Sequence, residues 1–266
     1  MEELVSFGLV GVISIFLAAK FLTISAISEI PPAIIPWWQL LLAFGIGTAV
    51  ILGLIRIVHG GRFLRFFFYF ALFSGAWITF SAILSDAAAF FVSVVLVAAY
   101  IAAPYVWLHN LVLILTLSGI AGLIGSSFSP KSVIILLVIM SIYDYVAVYK
   151  TKHMVKMAKA MIAGRAIFAM IFPEHWRGFK ARLSEARPGE GFMMLGTGDF
   201  VFPLVLASSA LQASRLAAWT VFIFSLAGLL IMHLIFMSQK IRRPMPALPP
   251  LAAAAILGFI VSTLIK

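Results

Sequence analysis

The sequence contains no cysteine and few charged side chains, and each shortage excludes a class of protein or site. Without cysteine, the chain has no disulfide bond, no thiolate metal site and no cysteine nucleophile. Charged residues make up only 11% of its 266 residues, whereas 64% are apolar and the mean hydropathy is +1.15. Because about a quarter of the residues in a soluble domain are charged, this composition excludes an ordinary soluble fold.

The apolar residues lie in long blocks that short polar segments separate. Blocks of about 18 or more apolar residues are typical of transmembrane helices, because the hydrocarbon core of a bilayer is roughly 30 Å thick. The predicted spans are 4–24, 34–55, 66–84, 87–103, 105–124, 131–149, 191–213, 216–237 and 245–264. The sequence therefore predicts an all-α, polytopic membrane protein with a bundle of about nine transmembrane helices. The connections among the third, fourth and fifth spans are very short, and a merger of two of these spans would leave eight.

The basic residues predict how the chain is oriented in the membrane. Most of them fall in the loops after the second, sixth and eighth spans, which share one side. By the positive-inside rule, that side is cytoplasmic, so the N-terminus is inside and the C-terminus outside. We attribute the net charge of +10 to topology and to anionic lipid headgroups, and we expect no nucleic acid partner. The N-terminal apolar block has no preceding cationic region, so we expect a permanent span and no cleaved signal peptide.

The predicted organisation is a single membrane-embedded domain over residues 1–266. Residues 1–149 hold spans one to six, residues 150–190 form a basic cytoplasmic segment and loop, and residues 191–266 hold spans seven to nine. Within the cytoplasmic segment, the pattern of 151–171 is amphipathic and fits either a helix in the membrane interface or a solvated helix on the bundle. Residues 173–191 contain proline and glycine and are predicted to form a mobile loop.

Two of the nine acidic residues, Asp144 and Asp199, lie inside predicted spans. A carboxylate in the middle of a membrane helix costs roughly 2.5–3.5 kcal/mol, so such residues are functional candidates. Asp144 lies six residues before Lys150, and Asp199 lies eight residues after Gly191. At about 1.5 Å per helical residue, both lie roughly 9–12 Å from the cytoplasmic face. Consecutive antiparallel helices could therefore bring the two carboxyls together.

Two carboxyls in contact share one proton, because both do not ionise easily. The ionised group can then take a proton from water while the protonated group polarises a peptide carbonyl, as in aspartic proteases. Burial and depth alone leave three interpretations open: a proton or ion pathway, a protease dyad, and a structural polar contact between helices.

The residues around the two aspartates narrow these interpretations. Gly196 and Gly198 precede Asp199 and allow another backbone to approach closely. Tyr143 precedes Asp144, and its hydroxyl could bond to a carboxyl, although an interfacial aromatic residue is the simpler interpretation.

Four prolines lie within seven residues, at Pro244, Pro246, Pro249 and Pro250. This density predicts an irregular segment that lines a cavity or pairs with an extended substrate strand. A simple helix-start turn would explain one or two of the prolines.

Together, Tyr-Asp in span six, Gly-x-Gly-Asp in span seven and Pro-Ala-Leu in span nine resemble the presenilin and signal peptide peptidase family of intramembrane aspartyl proteases. The sequence looks closer to the presenilin branch and to a microbial homologue, such as an archaeal one. The resemblance implies an endopeptidase that cleaves transmembrane helices and needs no metal or organic cofactor. It implies that the catalytic residues are Asp144 and Asp199, and that the supporting or substrate-binding residues are Tyr143, Gly196, Thr197, Gly198, Pro246, Ala247 and Leu248.

The same resemblance predicts partners and leaves alternatives. The expected substrates are single-span membrane proteins or signal-peptide-like helices in the lipid bilayer, whereas a homo-oligomer and a need for partner subunits stay open. The loop between spans six and seven lacks a long insert, so we expect activity without obligatory self-cleavage. One alternative is a proton- or cation-conducting transporter or leak channel that uses the same aspartates. Another is a prepilin-peptidase-like enzyme, but the proline signature argues against it.

Overall fold

The computed structural model describes residues 1–27, 36–57, 61–150, 166–187, 191–239 and 245–265. These residues form nine α-helices and a two-stranded sheet. In chain order the elements are α1 Glu2–Ile27, α2 Trp37–Ile57, α3 Gly61–Ser81, α4 Asp86–Ala102, α5 Val106–Ser127, α6 Pro130–Tyr149, β1 Ala169–Pro173, β2 Phe192–Gly196, α7 Thr197–Ser209, α8 Arg215–Ser238 and α9 Leu248–Leu264. Of these, α1, α3, α5, α6 and α8 are long and apolar enough to cross a membrane. The prediction of a helical, multi-pass membrane protein is confirmed.

Helix α5 lies at the centre of the bundle and packs against α1, α3, α4 and α7. Its glycines recur three residues apart, and each one faces a different helix. A Cβ on Gly119 would meet Thr79 of α3, a Cβ on Gly122 would lie 2.9 Å from Ser14 O of α1, and a Cβ on Gly125 would meet Ser208 of α7. Small residues let membrane helices approach closely, so these glycines explain how α5 contacts three neighbours at once.

The remaining helices pack around this centre. Helix α8 contacts α1, α7 and α9, and helix α6 contacts α2, α7 and α9. Helices α3, α4 and α5 are separate, so the predicted third, fourth and fifth spans do not merge. The proline Pro130 begins α6, where a missing N–H costs nothing, and the Ser129 hydroxyl caps the helix by accepting from the Ser132 N–H at 3.3 Å.

The seventh predicted span, 191–213, differs from the structure. Its first part is the strand β2, and the helix α7 that follows has only 13 residues. The strand β2 pairs antiparallel with β1, with Ala169 opposite Gly196 and Pro173 opposite Phe192. The prediction missed this sheet because residues 192–196 are apolar and continuous with the helix, and a short apolar run does not distinguish a strand from a helix.

The segment 150–190, which is predicted to be cytoplasmic, is described in part. Residues 151–165, which carry most of its predicted amphipathic pattern, lie outside the described residues. The segment predicted as a mobile loop contains a 3₁₀ helix, Trp176–Lys180. After it, the Leu183 N–H donates to Pro104 O at 2.9 Å and the Val106 N–H donates to Ala181 O at 3.1 Å. The segment therefore lies against the connection between α4 and α5.

Candidate active site

Asp144 lies near the end of α6 and contacts the first residue of α9. Its Oδ2 atom accepts a hydrogen bond of 3.2 Å from the Leu248 N–H. The first N–H groups of a helix have no partner within that helix, and an anionic group is favourable near them. Asp144 thus supplies from a neighbouring helix the acceptor that the start of α9 needs.

Two of the four prolines near Leu248 lie within α9, and the other two precede it. Pro249 and Pro250 lie in the first turn of α9, where a proline is tolerated. The simpler interpretation of a helix-start turn therefore holds for these two. Pro246 and Ala247 precede the helix, are buried and have no regular secondary structure. Pro244 lies outside the described residues.

Asp199 is the third residue of α7 and is partly buried. Helix α7 packs against α6, the helix that carries Asp144. The two acidic residues that the sequence singled out therefore stand on neighbouring helices. The secondary structure before Asp199 differs from the prediction. Asp199 follows a strand and stands in the first turn of its helix, so its depth below the membrane face cannot be counted as eight helical residues, or roughly 12 Å.

The residues before Asp199 have separate surroundings. A Cβ on Gly196 would lie 3.1 Å from Asp199 Oδ2, so the absence of a side chain there leaves room for the carboxyl. The Thr197 N–H and hydroxyl both lie within hydrogen-bond distance of Phe168 O, at 3.1 and 3.3 Å. Gly198 lines a cavity of about 220 Å³ together with Phe68, Leu113, Thr116, Phe168 and Val201.

The Tyr143 side chain, on α6, is 61% exposed. Among the described residues, no group of three or more histidine, aspartate or glutamate side chains could hold a metal ion.

Comparison with known proteins shows the family to which the chain belongs. Residues 38–266 match the family model described as signal-peptide peptidase, presenilin aspartyl protease. The chain belongs to this family. A search of curated proteins finds no match.

Solved structures of one family member show the same fold. Two structures of a presenilin family intramembrane aspartate protease, in the P2 and C222 space groups, are similar to this chain. The first has a TM-score of 0.70 at 24% identity and covers 100% of this chain and 98% of that chain. The second has a TM-score of 0.65 at 23% identity and covers 99% of this chain and 96% of that chain. The family is thus one of intramembrane aspartate proteases with several membrane-spanning helices.

Proposed function

We propose that this protein hydrolyses peptide bonds of transmembrane-helix substrates and that Asp144 and Asp199 are its catalytic residues. The single observation that carries the proposal is that Asp144 and Asp199 stand on two helices, α6 and α7, that pack against each other in a chain of this family. They come from the Tyr-Asp and Gly-x-Gly-Asp motifs, and the Pro-Ala-Leu motif contacts Asp144 through Leu248.

The proposed reaction needs one shared proton and one water molecule. The ionised aspartate takes a proton from water, and the resulting hydroxide attacks the scissile carbonyl while the protonated aspartate donates its proton to the carbonyl oxygen. The C–N bond of the tetrahedral intermediate then breaks: the first aspartate gives the proton it took from water to the leaving nitrogen, and the second takes a proton from a hydroxyl of the diol. The products are a carboxyl terminus and an amino terminus, and the aspartate pair again holds one proton.

A substrate helix must unwind before its carbonyl is accessible. The short strand β2 ends at Gly196, three residues before Asp199, and among the described residues it pairs along one edge only, with β1. An unwound substrate segment can pair with the other edge, because main-chain hydrogen bonds hold an added strand without regard to its sequence. The apolar cavity beside Gly198 would take one of its side chains.

The test is incubation of the purified protein with a single-span peptide in lipid, with products identified by mass spectrometry. We expect cleavage by the wild type and none by Asp144→Asn or Asp199→Asn. Both substitutions preserve size and remove the ionisable group. Hydrolysis by either variant at the wild-type rate, or aspartate-dependent ion flux in liposomes without peptide products, would refute the proposal.

We further propose that the N-terminus is cytoplasmic and the C-terminus is on the other side. The basic loops support this orientation, and the contact between Ala181 and Val106 is consistent with it, because the loop after α4 and the loop after α6 share one side. The absence of native cysteine makes the test direct. A single cysteine at Arg177 should react with an impermeant maleimide only from the cytoplasmic side, and one at Ser85 only from the opposite side.

A further inference from the structure

Asn110, in the second turn of α5, holds the backbone of strand β1 with both ends of its amide. Its Nδ2 atom donates to Ile171 O at 2.6 Å, and its Oδ1 atom accepts from the Ile171 N–H at 3.0 Å. The side chain is only 5% exposed. A buried amide satisfied on both sides fixes its partner in one orientation, because any slip leaves polar groups unpaired.

His109, the preceding residue, makes a second contact with the same strand. Its Nε2 atom lies 2.9 Å from Ala169 O, and its Nδ1 atom lies 3.1 Å from the Tyr100 hydroxyl of α4. The ring is fully buried. Because the Ala169 carbonyl can only accept, Nε2 carries the proton and Nδ1 accepts from Tyr100. Asn110 and His109 thus hold alternate residues of β1 on α5.

Strand β1 in turn pairs with β2, the strand that leads directly into helix α7 and Asp199. Ala169 is paired with Gly196, and Ile171 is paired with Met194. The two residues of β1 that bond to α5 therefore lie opposite the last three residues of β2. Thr197 then donates to Phe168 O, directly before β1. The Phe172 ring of β1 stacks on the Phe200 ring, next to Asp199, with centroids 6.3 Å apart. These contacts connect α5 with Thr197 and Phe200, two residues that flank Asp199 within two positions.

The far end of α7 is held by the same helix. After the last turn of α7, the Gln212 side-chain amide donates to Gly125 O, Ser126 O and Phe128 O at the end of α5, at 2.9–3.3 Å. Helix α5 therefore fixes both ends of the short helix that carries Asp199. At its C-terminal end, α7 is followed by Gln212, which bonds directly to α5. At its N-terminal end, the connection to α5 runs through β1 and β2.

We propose that Asn110 and His109 are positioning residues for the Asp199 carboxyl, acting through the register of β1 on β2. This inference rests on the proposed function, because it assigns to these residues the placement of a catalytic group. A displacement of about 1 Å at a reacting group can cost about a hundredfold in rate. Loss of these bonds should therefore lower kcat more than it changes KM.

The first test replaces Asn110 by leucine, which is similar in size but makes no hydrogen bond. We expect kcat per folded molecule to fall at least tenfold, with a smaller change in KM, because β2 is also the strand on which the substrate is proposed to pair. Asn110→Asp keeps the acceptor for the Ile171 N–H and should lie between the leucine variant and the wild type. It also keeps the test decisive if the leucine variant does not fold. Hydrogen exchange of the β1 and β2 amides should be faster in both variants.

The second test uses His109. Glutamine can place a donor near the position of Nε2, whereas leucine cannot, so His109→Gln should retain more activity than His109→Leu. The matched control is Thr79→Val, which removes a buried 2.6 Å bond from Thr79 Oγ1 to Leu115 O between α3 and α5. It is expected to lower stability while leaving kcat and the exchange of β1 unchanged.

The wild type and Asp199→Asn in the same series separate the two proposals. If the wild type cleaves, Asp199→Asn does not, and Asn110→Leu keeps wild-type kcat, the positioning role is refuted and the proposed function stands. A fall in kcat without faster exchange in β1 and β2 would also refute the positioning role. If the wild type cleaves no peptide, both proposals fall.

Discussion

The Asp144 carboxylate accepts a hydrogen bond of 3.2 Å from the backbone N–H of Leu248, at the start of the last helix. One of the two proposed catalytic groups therefore also satisfies the N-terminus of α9. The two prolines that follow Leu248 carry no N–H, so this donor is one of the few that the first turn offers. The same carboxyl therefore has a proposed catalytic role and a role in stability, and different substitutions at Asp144 can measure the two effects separately.

Asp144→Asn and Asp144→Ala should differ in stability but not in activity. Asparagine keeps a side-chain oxygen that accepts from the Leu248 N–H, whereas alanine leaves that donor unpaired. Loss of a helix cap costs about 1 kcal/mol, so the alanine variant should be less stable by about this amount. Both should be inactive. Unfolding in detergent micelles and the cleavage assay together check this, and equal stability of the two variants would show that the Leu248 bond contributes nothing.

Gly196→Ala and Gly198→Ala should affect different steps. The backbone of Gly196 is extended, with φ −60° and ψ 142°, and accommodates alanine, but the new Cβ would lie 3.1 Å from Asp199 Oδ2. The carboxyl must move, so kcat should fall with little loss of stability. A Cβ on Gly198 would instead enter the cavity beside Phe168 and Phe202 and should alter KM or the position of cleavage. Full kinetic analysis with product masses distinguishes the two, and identical effects would contradict this assignment.

The helical class was predictable, and the two aspartates could be singled out, because both signals are local. Long apolar blocks indicate spans, and an acidic residue inside such a block is costly wherever it lies. The Leu248 contact and the role of α5 were not predictable, since they depend on residues far apart in the chain. His109 and Asn110 stand in an apolar helix, and adjacent polar residues at that position were the one available signal.

The burial of Glu3 is a feature that the local sequence does not predict. The position of this residue near the chain start does not indicate burial, whereas the structure places it in α1 with a side chain only 3% exposed. It bonds to the Met1 ammonium group and to His233 of α8, and a local pattern does not connect it with His233. In the same way, the strand β2 continues the apolar run of α7, and only its pairing with β1 identifies it as a strand.

Gly125→Ala should loosen the contact between α5 and α7. The added Cβ would clash with Ser208 Cβ and come within 3.0 Å of the Ser209 nitrogen and the Val205 oxygen. Two helix backbones must separate, and such overpacking costs about 1–3 kcal/mol. Gly8→Ala is the matched control, because a Cβ on Gly8 meets nothing within 4 Å. Thermal unfolding should show destabilisation of the first variant only, and a Gly125→Ala protein as stable as Gly8→Ala would contradict the close packing.

The pair Glu3 and His233 should couple energetically between α1 and α8. Their Oε1 and Nδ1 atoms lie 2.5 Å apart, and the Glu3 carboxylate is almost fully buried. Glu3→Leu leaves the buried His233 Nδ1 atom without this partner and should lower stability by about 1–3 kcal/mol. His233→Leu should cost less, because Glu3 keeps its bonds of 3.0 and 3.1 Å from the Met1 ammonium group. Because the second substitution removes a contact that the first has already broken, the double variant should be more stable than the sum of the two losses, by about 0.5–3 kcal/mol. A double-mutant cycle of equilibrium unfolding measures this coupling, and strict additivity would mean that the contact contributes no free energy.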